Sequence, residues 1–162
     1  MSKVDAYIKI GELKGESADS KHKDWIDVLS WSWGMANHGS GQIGSGSGTG
    51  KGTVQDFQFT KTVDTSSSDI AKQLLAGKHF PKATFELRKS GGSQPITYYK
   101  VEFEQVFISS MSFGGAGSGG AFTESVTFNF RKYKATYTVQ REDGSAGSPS
   151  SYGWDIGKNE EC

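Results

Sequence analysis

The segment Gly46–Gln55, GSGTGKGTVQ, carries the residue types that cradle a nucleotide phosphate: closely spaced glycines, then a lysine. Such a loop works because backbone N–H groups at the start of a helix converge on the phosphate, with the lysine supplying a point charge. The spacing departs from that pattern at two places. Ser45 stands where the first glycine is required, and Gly52 comes after Lys51 where most such loops place a magnesium-binding hydroxyl. Some nucleotide kinases do carry GKGT, so context has to decide. The residues from Val54 onward, VQDFQFTKTV, alternate like a strand and offer no helix N-terminus. A glycine-rich connection is the better reading, and no cofactor is expected.

Other reactive groups are dispersed. His22, His38 and His79 share no metal-ligand spacing, so solvated or hydrogen-bonded roles are expected for them. No serine lies in a nucleophile-elbow sequence. Asp24 with Asp27, and Glu102 with Glu104, form carboxylate pairs only in the sense that strand residues two apart share a face. Cys162 is the sole cysteine and the last residue, which excludes an internal disulfide and leaves a dangling thiol able to crosslink two chains. An enzyme is not expected.

Bulk properties narrow the class further. The 162 residues suit one domain spanning 1–162. Lysine plus arginine balance aspartate plus glutamate at 18 each, so nothing draws the chain to nucleic acid or an anionic membrane. No apolar run approaches the roughly 18 residues of a membrane span. The opening MSKVDAYIKIGELKG interleaves charges with apolar residues, unlike a secretory signal. A cytoplasmic origin is expected, with any export by a route that accepts the folded protein.

Thirteen of the 22 glycines fall in two low-complexity stretches, near 34–53 and 114–121, which therefore read as loops. Between them the pattern is mostly strand. Val4, Ala6, Ile8 and Ile10 alternate with Asp5, Tyr7 and Lys9, and Ala83, Phe85 and Leu87 alternate with polar and charged neighbours. Phe57, Phe59 and Val63 give a third strand, with Asp56, Gln58, Thr60 and Thr62 on its other face. Ile96–Phe113 and Phe122–Val139 are both too long for ordinary strands. In the second, the apolar phase shifts from Val126, Phe128 and Phe130 to Tyr133, Ala135, Tyr137 and Val139, which predicts a bend near Arg131 and Lys132. Several short strands of this kind point to an all-β barrel or sandwich.

One segment reads as a helix. In DTSSSDIAKQLLAGKHF, Ser66 and Asp69 resemble a capping box, and Ile70, Ala71, Leu74 and Leu75 recur at helical spacing up to Gly77. Nothing in it suggests more than packing against the barrel.

Taken in order, KGESADSKHKDWIDVLSWSWG (Lys14 to Gly34), VQDFQFTKTVDTSS (Val54 to Ser67), GKHFPKATFELRK (Gly77 to Lys89), ISSMSFGG (Ile108 to Gly115), ESVTFNF (Glu124 to Phe130) and YGWDI (Tyr152 to Ile156) resemble the Hcp (haemolysin-coregulated protein) family, the tube subunits of bacterial type VI secretion systems. The resemblance runs nearly end to end. It implies a mainly β fold: a β-barrel of two curled antiparallel sheets with one short flanking α-helix, related to phage tail-tube proteins. It further implies a homohexameric ring that stacks into a secreted hollow tube, with a sheath, a spike trimer and effector proteins as partners, and no catalytic residues.

On that resemblance, VLSWSWG acquires a second meaning. Leu29, Trp31 and Trp33 share one side of a strand while Ser30 and Ser32 share the other. Ser30 and Ser32 are expected to line the lumen and meet cargo, with a solvated outer face as the plainer alternative. The loop residues Gly39, Gly44, Gly48 and Lys51 are expected to contact the adjacent ring. The tryptophans are expected mainly in the core. A monomeric carbohydrate-binding module, with exposed tryptophans as a sugar platform, is the competing reading.

Overall fold

The computed structural model describes residues 3–39, 51–90 and 95–162. In chain order the elements begin with β1 (Lys3–Ile10), β2 (Ile26–Asp27), β3 (Ser30–Ser32), β4 (Met35–Asn37), β5 (Gly52–Val54) and β6 (Phe57–Thr62). The helix α1 (Ser67–Ala76) is followed by β7 (His79–Ser90), β8 (Ile96–Gly114), β9 (Thr123–Asn129), β10 (Lys132–Gln140), β11 (Ala146–Asp155) and β12 (Glu160–Glu161). The chain is mainly β with one short helix among the described residues.

The long strand β8 organises the fold. One of its edges pairs with β7, while the other pairs first with β10 (Tyr99–Glu104) and then with β9 (Phe107–Gly114). β9 and β10 are one long run broken at Phe130 and Arg131, where the Arg131 N–H turns to donate to the Glu104 carbonyl. The predicted bend therefore lies one residue before its expected place. Facing it, Gln105 adopts a left-handed backbone (φ 53°), and a bulge comes next between Ile108 and Ser110. These kinks on facing strands turn the sheet, because a bulge shortens one strand's pairing and sharpens its twist.

One ten-stranded sheet is thereby folded into two parts: a first sheet running β12-β11-β10-β8-β7-β1-β2, and a second continuing from the far half of β8 through β9 and β6 to β3. The ladders do not close into a barrel among the described residues. Single bonds cross the gap instead: the Val28 N–H donates to the Ala6 carbonyl and the Leu29 N–H to the Thr60 carbonyl. Between the sheets lies an aromatic core in which Phe57, Phe59, Phe85, Phe103 and Phe128 are fully buried. Most of its ring contacts are tilted or edge-on, for example Phe57–Phe103 at 5.3 Å and Phe103–Phe130 at 4.6 Å between centroids, while Phe57 and Phe128 stack at 5.2 Å, arrangements the ring quadrupole allows.

The helix ends as its sequence requires, with Gly77 at φ 67° and its N–H returned to the Leu74 carbonyl. Its start differs from the capping-box expectation. Ser66 has helical backbone angles and makes no side-chain cap; its hydroxyl donates to Asp64 instead. Ile70 is fully buried, but Leu75 is 84% exposed, so the apolar stripe is narrower than the spacing predicts.

Segment 11–25 folds over the outer face of β1 and β7. This buries Tyr7 and Arg88, which alternation assigns to solvent. The Arg88 guanidinium donates to Asp19 and to the Tyr7 hydroxyl. His22 stacks on Tyr7 at 4.2 Å, its Nδ1 2.9 Å from Asp19 and its Nε2 3.1 Å from Glu86.

Candidate functional site

The second sheet presents an outer face of a single chemical kind. Across four strands the register aligns Ser30, Thr60, Ser125 and Ser112 in one row, and Ser32, Gln58, Thr127 and Ser110 in the next. A third row, without β3, holds Thr62, Thr123 and Gly114. Alternation sends the neighbours of these residues, Phe57, Phe59, Val126 and Phe128, into the core. The rows contain no charge. Gln58 donates to the Ser125 hydroxyl at 2.9 Å, and Asp56, at the rim, accepts from Ser109 at 3.2 Å. Ser30 and Ser32 are exposed members of this surface. Alternation in the sequence placed Ser30, Ser32, Gln58, Thr60 and Thr62 on outer strand faces; only the register joins them to β9 and β8 in one surface.

The outer face of the first sheet is the opposite. Lys82, Glu104 and Lys132 form one row, and Thr84, Glu102 and Lys134 the next. Their ion pairs are long and exposed, Lys132–Glu104 at 3.8 Å and Lys100–Glu102 at 3.6 Å, so they add little to stability. Glu102 and Glu104 are thus members of a solvated stripe.

The loop residues expected to mediate stacking divide. Gly44 and Gly48 lie outside the described residues. Gly39 and Lys51 are exposed at the same, outer end of a two-stranded arm, β4 with β5, in which Met35, Ala36 and Asn37 pair with Val54, Thr53 and Gly52. Lys51 leads into that strand rather than into a helix, so a phosphate grip does not form at its C-terminal side.

The tryptophans are engaged by other rings. Trp33 meets Tyr133 edge-on at 4.9 Å and Phe103 at 5.8 Å, and Trp31 lies against Phe85 at 5.0 Å. Trp25 packs on His22 at 4.8 Å and Trp154 lies partly buried against the core. Trp31 keeps 38% of its surface exposed, and the other three are partly buried. Leu29, by contrast, is 60% exposed although it shares the tryptophans' alternation, because the crossing at Val28 and Leu29 interrupts the strand.

Beneath the hydroxyl face sits a buried ionic cluster that sequence reasoning passed over. Lys61 occupies the inward phase between Phe59 and Val63 and contacts Glu124, its register partner on β9. Its ammonium also donates to Ser67 at 3.0 Å and pairs with Asp64 at 2.9 Å. These bonds tie the first turn of α1 to the β6–β9 pair. The signal was a lysine in an otherwise apolar phase.

The thiol of Cys162 is free and exposed, while its backbone is held against β11. The Cys162 N–H donates to the Gly153 carbonyl at 3.2 Å, and the sulfur lies 3.1 Å from where a Cβ on Gly153 would stand. The glycine leaves room for the chain end, while the cysteine stays exposed.

Among known proteins, residues 7–137 match the family described as "Type VI secretion system effector, Hcp". Protein hcp1 of Pseudomonas aeruginosa is 45% identical over 157 residues, covering 96% of this chain and 97% of that one. A type six secretion system protein of solved structure superimposes with a TM-score of 0.92 at 31% identity, covering 99% of this chain and all of the other. Hcp1 from Salmonella typhimurium gives a TM-score of 0.80 at 32% identity, with both chains covered completely. These matches cover nearly the whole chain, and the chain belongs to the Hcp family of type VI secretion proteins.

Proposed function

We propose that this chain is the tube subunit of a type VI secretion system: six copies form a ring, rings stack into a hollow tube, and the tube shelters effector proteins as it leaves the cell. The observation that carries this reading is the charge-free hydroxyl face of β3, β6, β9 and β8. A bore must take up polypeptide weakly enough to release it again. Small hydroxyls offer exchangeable hydrogen bonds, no fixed charge to select or repel cargo, and no apolar area to trap it.

The open topology supports a ring. β2, β3 and β12 are edge strands of two or three residues, and exposed edges are stable when covered or paired. Neighbouring copies would cover these edges and complete the barrel that one chain leaves open. Heterologous contacts of this kind close into a ring when the rotation per copy allows. Sheath and spike components are the expected partners of the assembled tube, and the arm near Gly39 and Lys51, with Gly44 and Gly48 between, is its stacking element.

Ser32→Gln tests the lumen assignment. It places a larger side chain in an exposed hydroxyl row and leaves the core untouched. Retention of a co-expressed effector on purified rings should fall while ring formation persists; unchanged retention on intact rings contradicts the assignment.

A further inference from the structure

One charged residue borders the hydroxyl rows of the second sheet. Asp56 stands in the phase of Gln58, Thr60 and Thr62, just before β6 begins. The other outward positions of β3, β6, β9 and of β8 beyond its bulge are Ser, Thr, Gln, Asn or Gly.

A contact across a neighbouring strand fixes where this charge lies. The Ser109 hydroxyl is shared between Asp56 Oδ2 and the Thr127 carbonyl oxygen, 3.2 Å from each. Ser109 sits in the bulge of β8 and Asp56 leads into β6, with β9 between them. Adjacent strands lie about 4.8 Å apart, so the contact spans two strand spacings and lays the carboxylate over β9. Phe57, the next residue, is fully buried, whereas Asp56 is exposed, which puts the carboxylate on the hydroxyl side of the sheet. Among the described residues, no lysine, arginine or histidine pairs with it. Asp56 is thus an oriented charge, open to water and without a counter-charge.

Rotational symmetry gives that charge a use. In a ring whose bore the hydroxyl face lines, every copy's Asp56 stands at one level of the bore, and the six carboxylates interrupt a wall of neutral groups. Hydroxyls donate and accept alike, so they do not sort passengers by charge. Charges of one sign on the low-dielectric wall of a channel reinforce one another and raise the local concentration of their counter-ions.

We propose that Asp56 is the residue by which the ring discriminates among passengers: it favours a protein that presents a lysine- or arginine-rich segment to this level of the bore and disfavours one that presents an acidic segment. The inference rests on the tube reading proposed for the chain. Such pairs form in contact with water and are screened by salt, so the passenger is released as readily as it is taken up.

Purified rings of the full chain, in reductant, are titrated into two fluorescent glycine–serine peptides of equal length, one carrying lysines and the other glutamates. Anisotropy should show the lysine peptide bound at least about fivefold more tightly. That preference should vanish at about 1 M salt, where the screening length is roughly 3 Å. Asp56→Asn should bring the two peptides to within about twofold of each other with the ring mass unchanged, whereas Glu102→Gln, in the charged stripe of the first sheet, should leave the preference as it is. Carbodiimide coupling of the lysine peptide to the parent rings needs no variant and should place the adduct on Asp56 ahead of Glu102 and Glu104. Parent rings that bind both peptides alike, a preference that survives Asp56→Asn, or coupling that favours Glu102 and Glu104 over Asp56 overturns the proposal. Failure of the tube reading shows separately, as an absence of rings in the parent protein.

Discussion

Lys61 and Glu124 face one another across the β6–β9 ladder, both shut off from water, with ammonium and carboxylate in direct contact. Deep ion pairs are stable only when each partner is present, since the desolvation of either charge alone is uncompensated. Lys61→Met or Glu124→Leu alone should each cost about 3–5 kcal/mol, whereas the double replacement should cost much less than the sum. Urea unfolding of the three variants measures this, and additive losses would show that the two charges are not coupled.

Asp19 should shape the acid limb of stability. Burial pushes its carboxyl up, but the hydrogen bonds from His22 and Arg88 outweigh that and hold it down at about 2. A depressed carboxyl contributes stability that is fully present above its ordinary value, near 4, and is lost as the pH falls through about 2. Asp19→Asn should therefore lower stability at neutral pH and flatten its decline toward acid, as read by urea midpoints across the pH range. A parallel decline in both proteins would contradict the assignment.

Gln105 holds a left-handed backbone where β8 passes from β10 to β9. A side chain in that region costs roughly 1 kcal/mol that glycine does not. Gln105→Gly should leave stability unchanged or raise it slightly, whereas Gln105→Val should lower it, by thermal midpoint. Equal effects of the two would mean that the bend does not depend on this residue.

Gly15 lies against the Trp25 backbone, where an added Cβ would stand 2.5 Å from the Trp25 carbonyl oxygen. Backbone cannot yield as a side-chain tip can. Gly15→Ala should lose about 1–3 kcal/mol and loosen the cover over Tyr7 and Arg88, seen as faster hydrogen exchange in residues 15–25. Unchanged exchange would contradict this.

The sequence made the strands legible wherever one face is dry and the other wet, as in Ala83, Phe85 and Leu87, and it located the turn near Arg131 through the change of apolar phase. It misled where a second layer covers a strand. Tyr7 and Arg88 read as solvent-facing because alternation reports which residues share a side but not that segment 11–25 lies on it. Lys61 was passed over for a related reason: a lysine normally marks the wet side, and its buried acid lies 63 residues away in the chain. The hydroxyl face was visible in part, in Ser30 and Ser32 and in Gln58, Thr60 and Thr62 on the outer side of the third strand. Its remainder depends on the pairing of strands, which residue types alone do not set.

Ring formation is the central claim, and native mass spectrometry of the purified chain in reductant, with negative-stain images of the same sample, tests it most directly. The account predicts a sixfold mass and particles with an open centre. A monomer at every concentration, with no annular particles, would contradict it.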